Sequence, residues 1–534
     1  MARTNQFCRW LLLLLLTVAA GGFSGTDVFV QSAFAQNKGK GSKRTRDVAT
    51  FRKQYAERRQ KFTDSLLELA RVCEDEKKLP DAAAEIRRMA RPVDSSELRL
   101  APLPRKVQPP LKANVDPDER FWRTQLKLLE QDYATDLYAL SRQALTAGHV
   151  SFAFDLVREI VLCYGDHIAA RKILGFVRNG DEWVSAFEAQ QRKRNEVWTD
   201  EFGWLPKAHV ERYQQGERYY NRRWIPAAKD AEYHSRFEDA WEIRTEHYLV
   251  KTNHSLEKGV DLARKLEDFH GLFFQMMAGF FNSSADVQQL LAGNNARPQA
   301  TLTKPNVVHF YRTRDEYIST LKQVTQQRIE ITKGIYFPGN RIAFFFFDPE
   351  SDDDTTLYHE ATHQLLTGSR PMTGEIGMKS DFWIIEGIAC YMESFHRDGE
   401  RYSVGDAGNK RLQTARSHFL REKYYVPLHE FTRMGMVQFQ TVEEASLRKN
   451  YSQGAALTHF FMHYDDGRYR EALIEHLSQI YSPEKSVREN PDSLEELTGV
   501  SDGELDRQYA DYIRNLFAPP PKGPDAEPVE QTAP

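Results

Sequence analysis

Basic surplus, cysteine and long apolar runs are all scarce in this chain of 534 residues, and each scarcity excludes something. Lys and Arg total 72 against 76 Asp and Glu, a formal charge of -4. A polyanion binder carries a basic surplus or a basic patch, so no nucleic-acid partner is expected. Only four cysteines are present, and Cys73, Cys163 and Cys390 are widely separated; they read as buried small side chains rather than a disulfide framework. The one long apolar run, "WLLLLLLTVAA" at residues 10 to 20, is roughly half of the ~20 residues a membrane span needs. Arg3 and Arg9 precede it, and Ala33 and Ala35 follow in "SAFAQ". That order of basic, apolar and Ala-x-Ala segments reads as a secretory signal cleaved before Gln36. The expected mature protein has no membrane span and is exported, either periplasmic or secreted.

What the chain does have is length enough for two or three domains. A basic, Gly- and Ser-containing linker at residues 36 to 47 leads into residues 48 to 118, where Phe51, Tyr55, Phe62, Leu66 and Leu69 recur at helical spacing ahead of a Pro-rich connector. Residues 119 to 240 read as helical, with short helices turning at Gly or Asp in the manner of tetratricopeptide hairpins. Within that region Trp183, Trp204 and Trp224 recur at roughly twenty-residue intervals, consistent either with an internal repeat or with three core tryptophans spaced by chance. From residue 241 the texture changes to strand, helix, strand, helix and the hairpin "GIYFPGNRIAFFFFD", a mixed α/β unit. Residues 518 to 534 are Pro-rich and acidic, and disorder is expected there.

The chemistry concentrates in "TTLYHEATHQLL". Acidic residues just before it favour the positive end of a helix. On that helix His359 and His363 lie on one face a turn apart, so both can direct an imidazole nitrogen at one ion, while Glu360 can reach a water beside that ion. A metzincin would need Gly at 366 and His at 369; Leu366 and Ser369 exclude it. For a third ligand, Glu375 lies between glycines in a probable loop. Glu386 stands in the apolar "FWIIEGIACYMES", where a carboxylate costs several kcal/mol unless paired or metal-bound. Asp381 is its main rival.

"HEATH" followed about two dozen residues later by "WIIEGIACYMES" resembles the gluzincin metallopeptidases of the thermolysin-like clan. More narrowly, "WEIRTEHYLVKTNHSLEKGVDLARKLEDFHGLF" and "NYSQGAALTHFF" resemble a family of exported bacterial peptidase-like proteins. The resemblance covers roughly residues 241 to 516 and implies a zincin-like domain over residues 241 to 517 with a small mixed sheet, the metal helix and a helical C-terminal part; with the helical, tetratricopeptide-like region before it, an α+β chain is expected. It implies Zn2+ as cofactor, His359, His363 and Glu386 as ligands, Glu360 as base, a peptide or protein substrate, and Tyr451 as oxyanion donor with His459 and His463 as rivals. It also implies that the strand "RIAFFFF" is a candidate edge for aligning substrate, although four consecutive phenylalanines equally suit a strand buried on both faces. Where thermolysin has an Asp four residues after the third ligand, this chain has Cys390, so support of a metal histidine falls to Asp381 or Glu393. A zinc-binding scaffold without turnover, whose helical region binds a protein partner, is the alternative; a structural zinc site is less suited, since no fourth His or Cys stands near.

Overall fold

In the computed structural model, residues 48–90, 98–112, 114–291, 304–325, 332–351, 353–370 and 376–516 are described. The signal segment, the basic linker, the C-terminal tail and Glu375 lie outside them. The chain is mixed α and β. Among the described residues no helix is long and apolar enough to cross a membrane, and Cys73, Cys163 and Cys390 are free thiols.

Five helices open the chain: α1 (Val48–Arg71), α2 (Pro80–Met89), α3 (Pro117–Thr146), α4 (Val150–Cys163) and α5 (Ile168–Ile173). Asp116 starts α3 by accepting the backbone N–H groups of Asp118 and Glu119, with Pro117 in the first turn. The helices bury one apolar core that includes Phe51, Phe62, Leu66, Leu137 and Phe154. The Pro-rich connector is not featureless: β1 (Leu98–Leu100) leaves it to join a distant sheet.

Helices alone are expected across residues 176–226, and the structure alternates short hairpins with short helices there. β2 (Phe176–Asn179) and β3 (Glu182–Ser185) precede α6 (Ala186–Lys193). β4 (Glu196–Thr199) and β5 (Gly203–Pro206) precede α7 (Val210–Gln214), and β6 (Glu217–Tyr220) and β7 (Arg223–Pro226) precede α8 (Ala227–Tyr233). Each tryptophan of the sequence pattern is the second residue of a returning strand, opposite Arg178, Trp198 and Tyr219 in turn. Gly175, Asn195 and Gly216, all with positive φ, each stand directly before a unit. The spacing is therefore a true internal repeat. Four-residue strands place only two side chains on each face, too few for a period of two to register in the sequence.

The second half is built on a five-stranded sheet ordered β11-β12-β10-β9-β8. Its members are β8 (Trp241–Arg244), β9 (Tyr248–Thr252), β10 (Asn306–Tyr311), β11 (Gly334–Phe337) and β12 (Ile342–Phe346). β9, β10 and β12 run parallel, while β8 and β11 are antiparallel to their neighbours. β12 has a partner on each side, so the strand offered from sequence as a substrate-aligning edge is interior, and β11 is the edge. The phenylalanines of β12 alternate between two cores: Phe345 belongs to the large core that also holds α9 (Leu256–Met276), and Phe344 to a smaller one with Tyr311 and Tyr317. Between β9 and β10 the chain also forms α10 (Ala278–Phe281) and α11 (Ser284–Leu291), and α12 (Arg314–Val324) follows β10.

After the sheet come α13 (Thr355–Gly368) and α14 (Phe382–Met392), then β13 (His396–Asp398) and β14 (Arg401–Val404), which pair with β1 in a three-stranded sheet. The remainder is helical: α15 (Lys410–Arg421), α16 (Leu428–Phe431), α17 (Met436–Gln440), α18 (Glu444–Gly467), α19 (Arg470–Ile480), α20 (Lys485–Glu489), α21 (Leu494–Thr498) and α22 (Asp502–Asn515). Two close approaches fix the site. A Cβ on Gly334 would lie 2.5 Å from the Phe345 ring and 3.2 Å from Thr356, so glycine lets β11 lie against the start of α13. A Cβ on Gly387 would meet Thr458 Oγ1 at 2.6 Å and Gly454 O at 2.7 Å, so glycine there lets α14 cross α18 backbone to backbone. The N-terminal helices dock on α19 through polar bonds: Arg470 pairs with Asp155 at 2.6 Å, and Glu471 accepts the Phe152 N–H at 2.7 Å in the first turn of α4.

Candidate metal centre

α13 opens with Thr355 donating its N–H to Asp353 at 2.9 Å, while Asp354 pairs with Lys265 at 2.8 Å. Along the helix, His359 and His363 turn their Nε2 atoms toward each other at 3.2 Å, with ring planes at 73°. All eleven residues of α14 are buried, and Glu386 is carried among them at the helix crossing. Its Oε2 lies 3.5 Å from His359 Nε2 and 3.8 Å from His363 Nε2. That oxygen is buried and has no hydrogen-bond partner.

An ion about 2.0–2.1 Å from each of three tetrahedral ligands sets those ligands roughly 3.3–3.4 Å apart. The three observed separations bracket that figure. A buried carboxylate oxygen without a donor costs several kcal/mol, and a cation among the three atoms removes the cost. The donor set, two imidazoles and one carboxylate, could therefore hold a metal ion.

His359 is held from behind. Its Nδ1 meets Glu393 Oε1 at 3.0 Å, and Arg411 clamps that carboxylate with Nε and Nη2 at 2.8 and 2.9 Å. Burial works to raise the Glu393 carboxyl, but the bonds from His359 and Arg411 take it down to about 2. Cys390 lies on the same side of the ring, so Glu393 does the orienting that an Asp at position 390 would do. Burial pushes the Cys390 thiol up, which keeps it protonated. His363 is driven down to about 4 by burial. For His359 burial acts downward, but the acceptors that surround it, Cys390, Glu386 and Glu393, raise it well above the usual histidine range. The acceptors around His359 thus favour positive charge at this point, whether a proton or a metal.

Glu360 faces the sheet. Its Oε2 accepts the Tyr336 N–H of edge strand β11 at 2.9 Å, and burial pushes its carboxyl up to about 7. Tyr451 is buried on α18; its hydroxyl takes a 3.3 Å hydrogen bond from Gln440 and lies within the field of Glu386, which with burial raises it well above the usual tyrosine range. The rivals are engaged elsewhere. His459 bonds Gly405 O at 2.9 Å and Tyr512, and His463 bonds Tyr391 at 2.7 Å. Asp381, in a left-handed conformation before α14, faces His476 Nε2 at 3.1 Å rather than the histidine pair.

The helix that carries His359, Glu360 and His363 and the separate segment that carries Glu386 thus converge, with Glu393 behind them. Arg411 and Tyr336 were not foreseen. Arg411 reaches Glu393 across the β13–β14 hairpin, and Tyr336 contributes only its backbone, so neither leaves a local signal. Comparison with protein-family models, with curated proteins and with solved structures gives no match for this chain.

Proposed function

We propose that this chain is a zinc-dependent hydrolase. Within that class we read it as an exported peptidase of gluzincin type, acting on a peptide or protein. The observation that carries the reading is the convergence of His359, His363 and the unpartnered Glu386 Oε2, with the Glu360 carboxylate tied to the edge strand β11 beside them.

His359, His363 and Glu386 would hold the ion. A bound Zn2+ there supplies a Lewis acid that polarises a carbonyl and brings the pKa of a water toward neutrality. Glu360 is the base: with Oε2 held by Tyr336, Oε1 takes the proton of the attacking water and delivers it to the leaving amine. Glu393, fixed by Arg411, holds the proton of His359 Nδ1 and so keeps Nε2 directed inward. The Tyr451 hydroxyl is the proposed donor to the developing oxyanion. β11, an edge strand of the sheet, is the proposed place for an extended substrate to align, through backbone groups other than the Tyr336 N–H that Glu360 holds.

The test is cleavage of a mixed peptide library by the purified protein, read beside its metal content. The reading expects about one zinc per chain and cleavage that disappears in Glu360→Gln while the zinc stays. Zinc without any Glu360-dependent cleavage would remove the peptidase reading.

A further inference from the structure

Gln440 ends α17 at a position where an amide brings the fold little, and the group it touches is Tyr451. The side chain is buried, and its Oε1 has no hydrogen-bond partner. Its Nε2 makes one bond among the described residues, 3.3 Å to the Tyr451 hydroxyl. A buried carbonyl oxygen without a donor destabilises a fold, and a single long bond at the other end of the amide does not offset that cost. Methionine has nearly the same length and shape and would leave nothing unsatisfied. Unsatisfied buried polar atoms are few in native folds, and a role in function is one reason for keeping them.

The amide is held in place by both helices of the crossing. Asn450, the residue before Tyr451, donates Nδ2 to Phe439 O at 3.0 Å and accepts the Tyr424 hydroxyl at 2.6 Å, which ties the end of α17 to α18. The Phe439 ring stands edge-on to Tyr451 at 5.3 Å and 77°, and to Phe382 at the start of α14 at 5.3 Å and 68°. Tyr451 lies one turn before Gly454, where α18 meets α14 at Gly387, next to Glu386. A hydroxyl rotates its proton freely until a neighbour fixes it. With Nε2 donating into one lone pair of the Tyr451 oxygen, the proton turns away from the amide and is left for another acceptor. The two bonds also support each other, because an oxygen that gives up its proton becomes a better acceptor.

We propose that Gln440 is a positioning residue for the oxyanion donor: its amide N–H fixes the Tyr451 hydroxyl so that the proton is presented to the substrate rather than to the protein. The inference rests on the peptidase reading and on the role of Tyr451 within it.

The experiment compares Gln440→Met, Tyr451→Phe and the double variant with wild type on a peptide cleaved in the library screen, reading kcat, KM, zinc content and the denaturant midpoint. Gln440→Met should lower kcat by about tenfold, as far as Tyr451→Phe does, with KM and zinc content unchanged. In the Tyr451→Phe background the same change should alter kcat by less than about twofold, since no hydroxyl is left to position. The midpoint of Gln440→Met should equal or exceed that of wild type, a result that a residue kept for structure would not give. The inference is overturned by a kcat unchanged or raised in Gln440→Met, by an equal loss in both backgrounds, or by a midpoint that falls together with zinc content. An unchanged kcat in Tyr451→Phe removes the donor and this inference with it, and leaves the peptidase reading standing. No cleavage of any peptide by zinc-loaded wild type removes the peptidase reading itself.

Discussion

Among the described residues two clusters combine two histidines with one glutamate, and their difference separates a candidate site from a strut. In the first, His359, His363 and Glu386, the rings stand at 73° and a buried carboxylate oxygen has no donor. In the second, His247 at the turn between β8 and β9 meets Glu267 and His270 of α9. Its rings are stacked 3.6 Å apart at 16°. Lone pairs in near-parallel ring planes run side by side and do not meet at an ion about 2 Å from each nitrogen. Both Glu267 oxygens are also occupied, one by the His247 N–H and one by its Nδ1, each at 2.7 Å. Proximity of ligand-type residues is common to both clusters. Convergence of lone pairs and an unsatisfied acceptor belong to the first alone, and the second ties a turn to a helix.

The comparison can be broken most forcefully at Glu360. Glu360→Gln should lower kcat by about 10³-fold with the metal retained, read by steady-state kinetics and metal analysis together. Loss of metal in that variant would mean that Glu360 is a ligand rather than a base. Next in size, Glu393→Gln should weaken metal affinity by about 10- to 100-fold in competition with a chelator, because His359 loses its orienting partner. Unchanged affinity would leave the Glu393–Arg411 clamp a purely structural pair.

The strut should respond in stability instead. Glu267→Gln is expected to cost about 1–3 kcal/mol in denaturant unfolding and to leave metal content untouched. Its acid dependence has a definite sign. Burial tends to raise the Glu267 carboxyl, but the bond and charge of His247 bring it to about 2, below the usual ~4.3 for an unfolded glutamate. A depressed carboxyl stabilises the fold above the unfolded value and loses that contribution as pH falls from about 4.3 toward 2. The stability gap between wild type and Glu267→Gln should therefore narrow over that interval. A gap that stays constant would show that the carboxylate charge contributes nothing. The smallest effect is expected at Tyr451→Phe, about tenfold in kcat with KM unchanged, if its hydroxyl serves the oxyanion.

Local chemistry was the legible part of this chain. His359 and His363 are four apart on one helix, and Glu386 is a carboxylate in an otherwise apolar run, so three of the converging groups show themselves without a fold. Asp381 was the main rival to Glu386 by sequence; tertiary structure gives it to His476. Sheet order was not legible, because nothing in "GIYFPGNRIAFFFFD" says which strand of the hairpin finds a second neighbour. The tryptophan repeat showed its period but not its conformation, since each strand is only four residues long. β1 was hidden in a Pro-rich connector, where pairing with β14 supplies an order that local propensity does not.

The central claim is that one of the two clusters holds a metal and the other does not. Metal content of the purified wild type, Glu386→Gln and Glu267→Gln, measured side by side after dialysis, tests it directly. About one zinc per chain is expected in wild type and in Glu267→Gln, and none in Glu386→Gln. Zinc retained in Glu386→Gln, or lost in folded Glu267→Gln, would contradict it.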